Sequence, residues 1–539
     1  DALGTLFLVL ASVLFLVASV YGVGYLRDEA LITERTSILD GRAFTNAPER
    51  RFTACLCFFL SAMTLVTTTR HLGALWVGIE ITTLSSAHLI YFHRHKQSLE
   101  ATWKYLIICS VGIALALLGN ILLSVAFYEP GVPPVESMDQ VEAFRHLARQ
   151  RAEALAVLDA PQSAATYLPW LKAAFIFLLV GYGTKMGLAP LHNWLPDAHS
   201  QAPSLVSALL SGALLNCAFL GILRGHQIML GAGLGGFSGT LLVFFGLVSM
   251  FVAAIFIVGQ GHYKRMLAYS SVENMGLMLM GVGAWLIGSH SGNSWIGTLG
   301  LAGAMFHMLN HSAFKGLLFL TAGEVLHATG TVRMELLGGL QQRMPLVGAA
   351  FGIGAVSIAC FPPFNGFAGE FVLALSLLDG SSLPGVEQQL GLLMALVVLG
   401  LVSGLAAATY AKAYGITFLG APRSRCVEEA HRPRPRDLWP LAIPAFLCVA
   451  GGLASGHCFR WLISTVNAPL PDPVAGQQVM LRVADMLGTV SLVGMVLLAL
   501  VAALWLLRKV CIAGRLRREE TWGCGYQYGT PRVQYTDAS

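Results

Sequence analysis

Four ionisable side chains, Glu80, Lys185, Lys315 and Lys412, lie within stretches that are apolar enough to cross a membrane. A charge in hydrocarbon is costly, so a membrane span that keeps one usually pairs it, hydrates it and uses it. Several such groups in one polytopic chain indicate an ion path through the bilayer. Because these side chains exchange protons, we interpret this path as a proton path.

Glu80 and Lys185 form the first predicted pair. Lys185 lies just before a break in an apolar helix, where unwound backbone can hydrate its ammonium group, and Glu80 lies mid-span. A buried lysine whose carboxylate partner moves can take up and release a proton near neutral pH. Two alternatives stay open, because Lys185 can snorkel to the interface from a helix end and the pair can be a static ion pair.

His307, His311 and Lys315 are spaced four residues apart on one predicted helix. Successive members are offset by about 40° and rise by about 6 Å, so they form a ladder along one face. Histidine titrates near physiological pH and suits a relay. A lone intramembrane histidine is more commonly a packing residue, but three groups in register favour water-bridged proton transfer.

Other candidates border this path. Lys412 lies toward the predicted cytoplasmic end of its span, where snorkelling competes with a functional role. His192 follows the first helix break and joins the predicted path. Asp197 and His199 come next along the chain and are candidates for opening the path to cytoplasmic water.

Two apolar segments, residues 181–196 and 357–370, contain helix breakers at membrane depth. Proline removes a backbone donor and clashes with the preceding turn, and backbone groups freed in lipid need partners in protein or water. Interrupted helices at corresponding positions of two halves indicate inverted repeats around a transport site. The breaks are at Pro190 and at Pro362 and Pro363, and each is followed by a polar and then an aromatic residue: His192 and Trp194, or Asn365 and Phe367.

The composition indicates an integral membrane protein. Of the 539 residues, 55% are hydrophobic and 12% charged, whereas a soluble domain has about 25% charged residues. With about 20 apolar residues per crossing, we predict an all-α membrane protein of about 13 transmembrane helices, with two inverted repeats that each contain a broken helix.

The charge distribution orients these spans. Lys and Arg residues are concentrated in one set of alternate loops, which places the C-terminus in the cytoplasm and Asp1 outside. We expect a bacterial or archaeal cytoplasmic membrane. The predicted regions are the N-terminal spans with Glu80 (1–127), an external loop (128–167), the first broken-helix half (168–230), the second inverted half (231–420), and the C-terminal spans and tail (421–539).

Several kinds of site are not expected. The ten cysteines include no CxxC pair and no Cys/His cluster, so neither an Fe–S, zinc or haem site nor a disulfide is supported. No Walker or GxGxxG element joins a strand to a helix. The basic linker at 423–436 is explained by topology. We therefore expect no cofactor, no metal, no catalytic residue and no nucleic-acid partner.

Four motifs resemble one family: the antiporter-like proton-conducting subunits of respiratory complex I, of membrane-bound nickel–iron hydrogenases of the formate hydrogenlyase and hydrogenase-4 type, and of multisubunit Na+/H+ antiporters. They are KMGLAPLHNWLPDAHSQAPS (185–204), YKRMLAYSSVENMG (263–276), HMLNHSAFK (307–315) and FPPFNGF (361–367). The segment 359–367 and the tail motif TWGCGY (521–526) resemble hydrogenase-4 and formate hydrogenlyase subunits in particular.

The resemblance implies two inverted half-channels joined by a hydrated polar axis. It gives central roles to the residues matched by Glu80, Lys185, Lys315 or its histidine neighbours, and Lys412. Asn216 stands where many complex I relatives place Lys or His, so the central relay can depend on water or other side chains. Two further departures are that Glu80 comes about two spans early, which suggests a missing N-terminal pair, and that no long lateral helix follows the last span.

Three functions stay open at this point. The first is a proton-translocating, non-catalytic subunit of a redox complex, with other membrane subunits and a peripheral arm that carries Fe–S and Ni–Fe or quinone sites as partners. The second is a cation/H+ antiporter subunit. The third is an inert membrane anchor for a soluble partner.

Overall fold

The computed structural model describes residues 1–31, 43–128, 137–158 and 161–511, apart from the side chains at 155–158, 161–166 and 437. The tail motif at 521–526 lies outside the described residues. Within them the chain is almost entirely helical, and its only β-type pairings are isolated bridges, Asn46 with His93 and His262 with Arg333.

The described residues up to Gly231 form nine α-helices. They are α1 (Ala2–Leu31), α2 (Glu49–Thr68), α3 (Leu72–Ile90), α4 (Lys96–Ala126), α5 (Gln140–Leu158), α6 (Pro161–Met186), α7 (Trp194–Gln201), α8 (Ser204–Leu209) and α9 (Leu215–Gly231), with a π-helical segment (Leu210–Leu214) joining α8 to α9.

The remaining described chain adds twelve α-helices, several of them short. They are α10 (Gly235–Val258), α11 (Tyr263–Ser291), α12 (Ser294–Thr329), α13 (Leu340–Arg343), α14 (Pro345–Ile358), α15 (Asn365–Leu378), α16 (Val386–Phe418), α17 (Arg425–Glu428), α18 (Pro435–Leu453), α19 (Ser455–Trp461), α20 (Ile463–Asn467) and α21 (Pro473–Cys511).

Eight of the described segments are long and apolar enough to cross a membrane, and a ninth span results if the pair Leu438–Leu453 and Ser455–Trp461, bent by 96°, counts as one. Helices α3, α11 and α12 are outside this set, although they are long, because they carry the polar residues of interest. The prediction of an all-α membrane protein is confirmed. The count of about 13 spans and the inverted relation of the halves stay predictions.

The packing separates lipid-type surfaces from a polar interior. Apolar side chains of α4, α10, α16 and α21 point outward, among them Ile107, Phe251 and Val397. Helices α11 and α12, in contrast, are buried along most of their length, polar residues included. An interior that holds lysines and histidines inside an apolar exterior is the arrangement expected for a transport path in lipid.

Charged clusters lie at the two ends of the helix bundle. The loops that sequence analysis assigned to opposite membrane sides form separate ion-pair groups. One group joins Asp1 to Arg70 and Arg224, and Arg70 to Asp139 and Glu142; the other joins Asp197 to Lys104 and Arg265, and Asp28 to Arg434 and Arg436.

Candidate proton path

The first break ends α6 with a left-handed residue, Gly187 (φ +84°). The Leu188 N–H donates to the Gly183 carbonyl at 2.9 Å, and the Gly187 N–H donates to the Thr184 carbonyl at 3.2 Å. These two bonds form a Schellman-type helix ending. They supply hydrogen-bond donors to the last carbonyl groups of the helix, which lipid cannot do. Trp194 Nε1 donates to Thr184 O at 2.9 Å, which holds α7 against the end of α6.

The second break repeats this geometry. Cys360 is left-handed (φ +54°), and the N–H groups of Cys360 and Phe361 donate to Ser357 and Val356 at 3.1 Å each. The spacing of both bonds matches the first break, which supports the internal repeat. Counted from the left-handed residue, matching positions hold Pro190 and Pro363, His192 and Asn365, Trp194 and Phe367, and Asp197 and Glu370.

Lys185 lies one residue inside the first break and is fully buried. Its Nζ donates to Tyr105 OH at 2.6 Å and to Thr83 Oγ1 at 2.8 Å. Tyr105 OH is in turn 2.6 Å from Ser86 Oγ. The lysine is therefore held by hydroxyl groups of α3 and α4.

Glu80 lies one helical turn before Thr83 on α3. Its Oε1 accepts a hydrogen bond from Ser110 Oγ at 3.0 Å, and its buried Oε2 has no hydrogen-bond partner among the described residues. Glu80 interacts electrostatically with Lys185, but the two are not in contact. The predicted ion pair is therefore open in this structure, because the ammonium group is bound by hydroxyls instead.

The predicted ladder on α12 is a row of three buried side chains. His307 Nε2 is 2.8 Å from Asn274 Oδ1. Lys315 Nζ donates to the Leu267 carbonyl at 2.7 Å and to Ser270 Oγ. His311 lies between them, and neither of its ring nitrogens has a protein hydrogen-bond partner in the described chain. The row runs along α11, whose polar face binds both ends of it.

Asn216 lies where α9 meets α12, between the two halves, and is almost fully buried. Its Nδ2 donates to Gly212 O at 2.7 Å and to Ser312 Oγ at 3.0 Å. Ser312 Oγ also donates to Gly212 O, at 2.7 Å. Gly212 lies in the π-helical segment, a type of irregularity that is frequent at functional sites. Asn216, which stands where many complex I relatives have Lys or His, thus links α9 to α12 through a hydrogen bond to Ser312.

The residues near the first break have different environments. His192 is buried and lies edge-on to Tyr269 of α11, with ring centroids 6.1 Å apart. His199 is fully buried and stacks on Phe319 at 4.9 Å, and its ring nitrogens are without protein partners among the described residues. Asp197 is partly exposed and binds two cations, Lys104 at 3.1 Å and Arg265 at 3.5 Å.

Lys412 is only half-buried on α16, unlike the three fully buried members of the ladder. Two residues earlier, Tyr410 is buried, and its hydroxyl is 2.7 Å from Ser270 Oγ. Tyr410 therefore joins α16 to the group that binds Lys315.

Glu370 is a candidate that sequence reasoning missed. It follows the second break on α15, and its Oε2 accepts a hydrogen bond from Ser403 Oγ at 2.8 Å. It interacts electrostatically with Glu273, a buried residue that also interacts with Lys315. The signal was present in the sequence, because Glu370 occupies the position of Asp197 when the two broken segments are aligned.

These features define a class: a polytopic membrane protein with two broken helices and a row of buried lysines and histidines between them. The chain belongs to the NADH:quinone oxidoreductase/Mrp antiporter transmembrane family, whose model matches residues 69–386, more than half of the sequence. The family resemblance inferred from the four motifs is confirmed.

Two similar proteins have names that agree with the subfamily prediction. Hydrogenase-4 component B of Escherichia coli (strain K12) is 32% identical over 98% of this chain and 73% of that protein. Formate hydrogenlyase subunit 3 of the same organism is 34% identical over 67% of this chain, which spans only 58% of that relative.

Two solved structures share the fold. The Mrp complex from Dietzia sp. DQ12-45-1b has a chain that aligns with a TM-score of 0.68 and 21% identity, over 89% of this chain and 86% of that one. A chain of the membrane-bound sulfane sulfur reductase, an archaeal respiratory membrane complex, aligns with a TM-score of 0.73 and 20% identity, over 99% of this chain and 78% of that one.

Proposed function

We propose that this protein moves protons across the membrane as a non-catalytic subunit of a redox-driven complex of the membrane-bound hydrogenase or complex I type. The observation that supports this proposal is a row of largely buried polar side chains that runs from Glu80 and Lys185 through Asn216 to the ladder on α12. Lys185 interacts electrostatically with Glu80 and Cys217, and Lys315 with Glu273. Asn216, next to Cys217, is hydrogen-bonded to the helix that bears Lys315.

The proposed path uses the titrating groups of this row together with water. Protons would move in short steps between groups that alternate between charged and neutral forms. Its members are Glu80, Lys185, His192, His307, His311, Lys315 and Lys412, with Asn216, Asp197 and His199 as accessory groups and Glu370 added from the structure.

The energies are of the right size for an electrostatic switch. Moving one charge across 100 mV is worth about 2.3 kcal/mol, or roughly 1.7 pKa units. A hydrogen bond to a charged group contributes about 1.5–3 kcal/mol. Opening and closing the Glu80–Lys185 pair can therefore couple a signal from partner subunits to proton affinity.

The proposal includes partners and an orientation. The names of the relatives, a component of hydrogenase-4 and a subunit of formate hydrogenlyase, support assembly with other membrane subunits. The proposal adds a peripheral redox arm that carries Fe–S and Ni–Fe or quinone sites. The excess of Lys and Arg in one set of alternate loops supports a cytoplasmic C-terminus and an external Asp1. We propose a bacterial or archaeal cytoplasmic membrane as the location. The regions bounded at 127, 167, 230 and 420 are proposed to serve as its structural units.

A second candidate is a cation/H+ antiporter subunit. The family description, which includes Mrp antiporters, favours it. The two functions differ in one measurable property: an antiporter subunit would move protons only with a counter-cation, so proton flux would depend on Na+ in the opposite compartment.

Proton flux in proteoliposomes tests the proposal. The full chain is reconstituted with a pH-sensitive dye inside, and a potassium diffusion potential drives flux. We expect Lys185→Ala and Glu80→Gln to lower flux at least tenfold. Lys172→Ala is the matched control, because Lys172 is on the same helix but packs over Phe237 outside the row. Unchanged flux in Lys185→Ala would favour an inert anchor instead.

A further inference from the structure

The hydroxyl groups around Lys185 form a directional chain. Ser86 Oγ donates to the Thr82 carbonyl at 2.6 Å, so it is available to accept from Tyr105 OH. The Tyr105 oxygen, in turn, accepts from Lys185 Nζ. Each hydroxyl therefore turns its oxygen toward the ammonium group and its hydrogen away from it. Such aligned dipoles stabilise a positive charge where no carboxylate is in contact.

The carboxylate that could replace these hydroxyls is one turn away. Glu80 and Thr83 are three residues apart on α3, a separation of about 5–6 Å between Cβ atoms. Glu80 Oε2 is buried and, in the described part of the chain, has no donor. The flexible four-carbon stem of lysine can cover this distance. Two positions for one ammonium group are thus adjacent on the same helix.

We propose that Tyr105, with Thr83, forms a second binding position that holds the Lys185 ammonium group apart from Glu80. Lys185 moves between this hydroxyl position and Glu80 during each transfer, and Tyr105 is a positioning residue for it. The proposal rests on the proposed function, because it specifies how the first pair opens. No bond other than hydrogen bonds changes in this step.

The second half has a similar arrangement. Lys315 Nζ donates to Ser270 Oγ of α11, and Ser270 Oγ lies 2.7 Å from Tyr410 OH. A lysine, a hydroxyl on the neighbouring helix and a tyrosine therefore occur together in both halves. The difference is that Tyr105 binds its lysine directly, whereas Tyr410 acts through Ser270.

Tyr105→Phe tests the proposal in the proteoliposome assay, because it removes only the hydroxyl and keeps the ring that packs on Trp194 at 5.0 Å. The titratable groups that face Lys185 are Glu80, Tyr105, Cys109 and Cys217. Without the tyrosine hydroxyl, the detached ammonium form is less stable. We expect proton flux to fall several-fold. The alkaline limb of the plot of flux against pH should move down by about one pH unit.

Tyr182→Phe is the matched control, since Tyr182 is a fully buried tyrosine on the lysine's own helix and does not contact its ammonium group. Thr83→Val is a second, nearly isosteric variant that should shift the pH profile in the same direction. If both Tyr105→Phe and Thr83→Val keep the wild-type pH profile, the second binding position is excluded. If Lys185→Ala itself retains flux, the proposed function fails first, so the two failures are distinguishable.

Discussion

At the scale of single residues, each buried lysine is bound by neutral oxygen atoms. Lys185 is bound by a tyrosine and a threonine, and Lys315 by a serine and a backbone carbonyl. An ammonium group bound by neutral oxygens keeps its charge only while those oxygens are in place. Small changes in its surroundings can therefore shift its proton affinity, which a tight ion pair would resist.

Glu370→Gln should reduce proton flux at least tenfold, because an amide keeps the bond to Ser403 but carries no exchangeable acidic proton. Glu370→Asp should restore part of the flux. The comparison is Glu387→Gln, an exposed glutamate at the start of α16, which should behave like wild type. Equal flux in the Glu370 and Glu387 variants would remove Glu370 from the path.

His262 makes stability depend on pH. It precedes α11, where its Nδ1 accepts from the Arg265 N–H at 3.3 Å. Burial, together with Lys264, Arg265 and Arg333, lowers the pKa of His262 to about 4. The unfolded chain, with a pKa of about 6.5, binds this proton first, so stability is lost as the pH falls from about 6.5 toward 4.

We expect His262→Asn to remove this pH dependence, because asparagine can keep the helix cap but does not titrate. Between pH 7 and pH 5 the wild type should lose about 1–2 kcal/mol of stability that the variant keeps. Thermal melting in detergent at both pH values measures the difference. Parallel losses in the two proteins would show that His262 does not contribute.

At the scale of elements, the second broken helix depends on close backbone packing. A Cβ at Gly366 would overlap the Ser357 carbonyl oxygen across the second break. Gly452 of α18 and Gly494 of α21 leave space in which Pro363 packs closely against both helices. The break is therefore a packed joint between four helices.

Gly366→Ala should prevent the second break from closing, because the added methyl group overlaps backbone atoms that cannot rotate away. We expect loss of most folded protein, measured as the monodisperse fraction in detergent. Gly404→Ala on α16 is the matched control, since a Cβ there meets no atom within 4 Å. A well-folded Gly366→Ala protein would show that the backbone around Gly366 can move apart to accept a methyl group.

At the scale of the whole molecule, α8 and the π-helical segment of the first proposed half pack on α12 of the second, and Asn216 of α9 binds Ser312 there. If protons pass through both halves in series, loss of one lysine stops the whole path. If each half conducts separately, the other half continues. The polar contact between the halves favours the series arrangement.

A double-substitution experiment separates these cases. We expect Lys185→Ala, Lys315→Ala and the double variant to have the same low flux, because steps in series are not additive. Proteoliposome flux at matched protein content measures this, and Lys172→Ala again serves as control. Single variants that each keep about half of the flux, with none in the double variant, would instead show two separate paths.

The sequence by itself determined the membrane class, the two breaks and the spacing of His307, His311 and Lys315, because hydropathy, proline chemistry and helical periodicity act between residues close in the chain. It also carried the family resemblance. It could not determine that Lys185 binds Tyr105 and Thr83 in place of Glu80, or that Asn216 joins the halves through Ser312. These partners are about 80 to 100 residues apart, so only the packing of α3, α4, α6, α9 and α12 brings them within hydrogen-bonding distance.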